Sequence, residues 1–163
     1  MTDNKFLTQF ENRQIARKDW THEAHVRMAW LYVARTDTYS QARSKVRSGI
    51  KKLNNAFIAQ QNRPCGATAP AEAAAEPAAE PKPIGFHETI TTAFVRLVAA
   101  RSKPGEKFGN FRKRNPDLFD RNLSAILAHY SPALLFSEEA KATFAQPDRE
   151  PLPKPWLAAT PSV

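Results

Sequence analysis

Hydrophobic positions in this chain recur at intervals of three and four, the period of a helix with one buried side, and no segment alternates convincingly as a strand. The clearest run is Tyr39, Ala42, Val46, Ile50, Leu53 and Phe57, which predicts a helix over about residues 39–57 with basic residues between its apolar ones. A helix over 22–35 precedes it, supported by Ala24, Met28, Ala29 and Leu31, with Asp19 or Thr21 as cap and Thr36-Asp37-Thr38 as the turn beyond. Phe6, Phe10 and Ile15 mark a weaker amphipathic helix over 4–17. Downstream, Ile90, Phe94, Leu97 and Val98 predict a helix over 87–101 that Lys103-Pro104-Gly105 ends. A short helix over 106–114 stops before Asn115-Pro116, because proline restricts the residue ahead of it. Phe119, Leu123, Ile126 and Tyr130 then share one side of a helix over 117–130, and Ser137 caps a last one through about Phe144. Five or six such helices predict an all-α fold, an antiparallel helical bundle formed as a single domain over 1–163.

Two stretches fall outside this pattern. Residues 64–83 turn to Ala, Pro and Glu, with prolines at 64, 70, 77, 81 and 83, and have too little apolar surface to offset ordering, so a disordered insert is expected there. From Pro147 the chain is again rich in proline and reads as an extended tail over 147–163, with Leu152 and Trp156 pressed on the body.

Composition narrows the class. At 42% hydrophobic residues, with ten Phe, three Trp and three Tyr, the 163 residues can build a core of their own. No apolar run approaches the roughly 18 residues needed to span a bilayer, and Met-Thr-Asp-Asn-Lys lacks the apolar stretch of a signal peptide, so a cytoplasmic protein without a membrane span is expected. The lone Cys65 reads as incidental. A formal charge of +8 gathers in two places, Arg43 to Lys52 and Lys107 to Arg114. These are solvated helix faces or a surface for nucleic acid or another polyanion. Phe108 and Phe111, three residues apart, read as a core stripe more simply than as a stacking platform.

The candidate chemistry lies in the histidines. At 100° per residue His22 shares a sector with Val26, Ala29 and Val33, and His25 lies beside that sector; His87 lines up with Thr91, Phe94 and Val98. In an up-and-down bundle the start of the second helix and the start of the fourth meet at one end, which would bring His22, His25 and His87 together, with Tyr130 returning toward them. Three imidazoles on facing helices suit a divalent Zn, Fe, Mn or Ni ion with an open position for water or a small-molecule ligand. Glu88, about 100° from His87, is placed to orient a ligand or to work as acid or base, and Tyr130 is a second candidate catalytic group. Helix electrostatics favour a different reading, because first turns disfavour cations: two N-termini with Thr21, Thr89 or Thr91 would form an anion pocket without metal. A third reading is a buried polar cluster in which each histidine bonds a neighbouring threonine, glutamate or carbonyl.

Three motifs in combination, Trp20-Thr-His-x-x-His-x-x-x-Ala-Trp30, His87-Glu-Thr-Ile-Thr91 and Tyr130-Ser-Pro with Pro147-Asp-x-x-Pro-Leu-Pro153, resemble a family of small bacterial helical proteins to which no activity is attached. The plan of a helical bundle with three inward histidines is similar, more distantly, to the DinB/YfiT-like metal-binding bundles, which implies His22, His25 and His87 as ligands, although His25 follows His22 by three residues where that plan often uses four.

Overall fold

A computed structural model describes residues 1–62 and 85–155. The insert expected at 64–83, Cys65 and Trp156 lie outside the described residues. Within them every regular element is helical: α1 (Asp3–Glu11), α2 (His22–Arg35), α3 (Tyr39–Gln61), α4 (Glu88–Arg101), α5 (Phe108–Arg114), α6 (Ser124–Leu127), α7 (Pro132–Leu135) and α8 (Glu138–Ala142). This is the expected all-α bundle, with more and shorter helices in its second half than the periodicity suggests.

The framework is α2, α3 and α4, each packed on the other two. Thr21, Thr38 and His87 cap them, each side chain accepting a first-turn backbone N–H. The helix α2 is the central element: Ala24, Val26, Met28, Ala29, Trp30, Leu31, Tyr32 and Val33 are all buried, far more than one stripe. It takes α1 on one side, where Phe10 stacks on Trp20 with ring centroids 5.3 Å apart. The α1 helix ends six residues earlier than expected. Arg13 adopts a left-handed φ of 59°, and Gln14 N–H bonds Gln9 O at 2.8 Å while Arg13 N–H bonds Phe10 O at 3.0 Å, the paired bonds of a Schellman stop.

The helix expected over 117–130 is corrected to two shorter pieces. Pro116–Phe119 form a 3-10 turn and α6 begins only at Ser124. Asp120 is the cause: one carboxylate oxygen accepts Asn122 N–H at 3.0 Å and the other accepts the Ser124 hydroxyl, so the side chain competes with the helical backbone bonds. Leu123 is left at φ 60°, ψ 32°, a left-handed conformation that costs a non-glycine residue roughly 1–2 kcal/mol.

Residues 143 and 145, beyond α8, are fastened to α4. The buried Thr89 hydroxyl donates to Thr143 O at 3.0 Å and accepts Ala145 N–H at 2.9 Å, and Leu152 joins the core as expected. Among the described residues no helix is long and apolar enough to cross a membrane.

Candidate functional site

Between α2, α3 and α4 lies a cavity of about 310 Å³. Met28, Ala29, Val46, Ile50 and Val95 form much of its wall, Leu123 closes one side, and the polar atoms come from His22, His25 and Thr91. The residues Ile90 and Phe94 were expected on the buried side of α4; they are only partly buried because they face this space. Leu123, expected on the apolar side of a helix over 117–130, reaches the wall instead from the left-handed turn after Asp120.

The two histidines are held by backbone carbonyls. His22 Nε2–H donates to Leu118 O at 2.8 Å, and its ring meets Phe94 edge-on at 5.3 Å. His25 Nδ1–H donates to Thr21 O at 2.7 Å, one turn back in its own helix, and its ring lies 4.0 Å from that of Trp20. Each bond fixes which nitrogen carries the proton, and leaves Nδ1 of His22 and Nε2 of His25 without a partner among the described residues. Burial lowers the His25 pKa to about 4; the Thr21 carbonyl works against that shift, and nearby His22 and Arg17 add to it. At neutral pH His25 is therefore an uncharged acceptor.

His87 does not join them. Instead of occupying the first turn it caps α4 from an extended backbone at φ −114°, ψ 108°, so the angular projection that aligned it with Phe94 does not apply. Its Nδ1 accepts Ile90 N–H at 3.2 Å, its Nε2–H donates to Leu135 O at 2.9 Å, and burial pushes its pKa down. Both ring nitrogens are occupied, and His87 is not among the cavity's walls. Among the described residues no three His, Cys, Asp or Glu side chains gather in an arrangement that could hold a metal ion. A three-histidine centre of the kind the DinB/YfiT-like plan implies does not fit this placement.

The remaining candidates also lie elsewhere. Glu88 is buried beneath α3, accepting Arg47 Nε–H at 2.8 Å with Arg43 at 3.6 Å. The Tyr130 ring is fully buried, its hydroxyl donates to Ala145 O at 2.9 Å, and burial raises its pKa to about 12. His129 Nδ1–H donates to Glu150 O at 2.9 Å, away from the cavity's walls. Of the three threonines in the anion reading, Thr21 caps Ala24 N–H, Thr89 holds residues 143 and 145, and Thr91 alone faces the cavity. No family model, no curated protein and no solved structure matches the chain.

Proposed function

We propose that the protein binds a small molecule with an apolar body and one hydrogen-bond donor, an alkylphenol or alcohol for example, in the cavity between α2, α3 and α4. The observation that carries this reading is His25: an uncharged imidazole with Nδ1–H committed to Thr21 O, on a cavity whose other walls are almost all hydrocarbon. A donor on the ligand satisfies a nitrogen that is otherwise unpaired, and the hydrocarbon walls take the apolar remainder. An anion is a poorer match, since His25 brings no positive charge at neutral pH and the caps Thr21 and His87 already accept first-turn N–H groups of α2 and α4. A base with a pKa of about 4 is weak at pH 7, so the arrangement favours holding a hydroxyl over removing its proton.

The second reading is a divalent ion on His22 and His25, with the remaining ligands supplied by water or the bound molecule. It is favoured by the carbonyl bonds on both rings, the same second contact that orients metal-bound histidines. Titration with 4-propylphenol, followed through the imidazole carbon-bound protons by NMR, separates the two. The first reading expects the His22 and His25 signals to shift in the chelator-treated protein while those of His87 and His129 stay still. No movement of the two signals at millimolar phenol excludes it. Metal retained near one equivalent by untagged protein, and lost in His22→Ala, would favour the ion instead.

A further inference from the structure

We propose that the outward face of α3 binds the phosphate backbone of duplex nucleic acid without reading its sequence. Two rows run along that face: Ser40, Ser44 and Ser48, and Arg43, Arg47 and Lys51. Each row advances four residues per step, about 6 Å along the helix axis, so hydroxyl and cationic donors alternate in adjacent lines. No acid occurs in α3 from Tyr39 to Gln61. Guanidinium and hydroxyl groups are the side-chain donors that meet phosphate oxygens on nucleic acid.

The two basic clusters in the sequence differ in how the fold uses them. At the second, Arg112 pairs with Glu23 at 3.0 Å, and Arg114 pairs with Glu106 at 2.8 Å while also donating to Arg101 O at 2.6 Å. Its guanidiniums are engaged in holding α5 to the body. The only carboxylate that pairs with a cation of α3 among the described residues is Glu88 of α4, which lies beneath the face with 6% of its side chain exposed. It takes Nε of Arg47 and leaves the two terminal nitrogens of that guanidinium for an outside partner, while Arg43 and Arg47 stay 41% and 49% exposed. Glu88 thus acts as a positioning residue for two arginines. Lys51 and Lys52 are exposed, and no carboxylate among the described residues pairs with either.

The same face is unsuited to other anionic partners. A helix lying in a membrane surface needs an apolar row beside its cations, and Ile58 is the one large apolar residue of α3 that is exposed, at its far end. Single strands need open aromatic rings for their bases, whereas Phe86 beside this face has the Lys51 ammonium 4.6 Å from its centroid and Tyr39, at the start of α3, is half-buried. A phosphate-lined duplex needs neither.

The test is fluorescence anisotropy of the full chain with a labelled 20-base-pair duplex over a range of salt. Three to four phosphate contacts give a slope of log affinity against log salt of about −3. Lys51→Glu with Lys52→Glu should weaken binding at least tenfold while circular dichroism is unchanged; neither residue pairs with Glu88, and the circular dichroism checks that losing the Lys51 contact with Phe86 leaves the fold intact. Lys103→Glu with Lys113→Glu changes the net charge equally and should leave affinity within about threefold. No duplex binding at low salt overturns the proposal, as does equal weakening by the two double variants, which would mean net charge alone. Binding to phosphatidylserine vesicles in place of the duplex would assign the face to a membrane and overturn it too.

Discussion

Replacing Gly49 with alanine tests how α1, α3 and the histidine cavity are joined. A Cβ built on Gly49 falls 2.4 Å from Phe10 Cε1 and 2.6 Å from Cζ, where carbon atoms sit comfortably at about 3.5–4.0 Å. The ring would have to move by roughly 1 Å. It has little freedom to do so, being 1% exposed, stacked on Trp20 and edge-on to Tyr32 at 6.2 Å. Overpacking of this kind costs about 1–3 kcal/mol, and the better helix propensity of alanine returns up to about 1 kcal/mol. The net expectation is a loss of about 1–2 kcal/mol, or about 3–6 °C in Tm for a chain of this size. Urea denaturation at 25 °C measures it. Phe10→Leu supplies the control, because a leucine ends near the position of Phe10 Cδ1, which is 3.7 Å from the added carbon and in ordinary contact. In that background Gly49→Ala should be neutral or stabilising. A higher Tm for Gly49→Ala in the parent would refute the packing of Phe10 on α3. Trp20 stands between Phe10 and His25, so the same variant should also weaken binding of 4-propylphenol.

Other expectations concern charge and buried bonds. His25 binds its proton at about pH 4 when folded and near 6.5 when unfolded; its contribution to stability is complete above pH 6.5 and is lost as pH falls toward 4. That loss is on the order of 2 kcal/mol after allowance for the ring's partial exposure, and His25→Asn should flatten the denaturation profile across that window. Thr89→Val removes a donor to Thr143 O and an acceptor for Ala145 N–H, which should cost about 1–3 kcal/mol and speed amide exchange at Ala145. Glu88→Leu leaves Arg43 and Arg47 without their shared carboxylate, and a Tm within 1 °C of the parent would contradict the part given to that pair.

The architecture was legible wherever a helix had both a cap and an uninterrupted apolar side. The bounds of α2 follow from Thr21 and from the absence of Gly and Pro up to Thr36, and Ser137 announces α8 in the same way. Hydrophobic period could not see the stop after α1, made by a left-handed arginine, nor the competition from Asp120 that divides residues 117–130. The site was half legible for a related reason. His22 and His25 lie within α2, where 100° per residue holds, and they meet the cavity together. His87 sits one residue ahead of α4, where that rule has not begun, and its ring turns back to cap the helix. The burial of Glu88 against Arg43 and Arg47 depends on the packing of α4 on α3, which spacing along the chain does not encode.

The most direct test of the cavity as a binding site is calorimetric titration of the parent protein with three ligands of one shape: 4-propylphenol, propylbenzene and 4-propylbenzoate. About ten heavy atoms in a largely apolar site give a dissociation constant of roughly 10–100 μM for the phenol. Propylbenzene, which leaves the imidazole nitrogens unsatisfied, should bind about tenfold more weakly, and the carboxylate weaker still. His25→Ala should abolish the preference for phenol over propylbenzene. Equal affinities for phenol and propylbenzene, or tighter binding of the benzoate, would contradict the role given to His22 and His25.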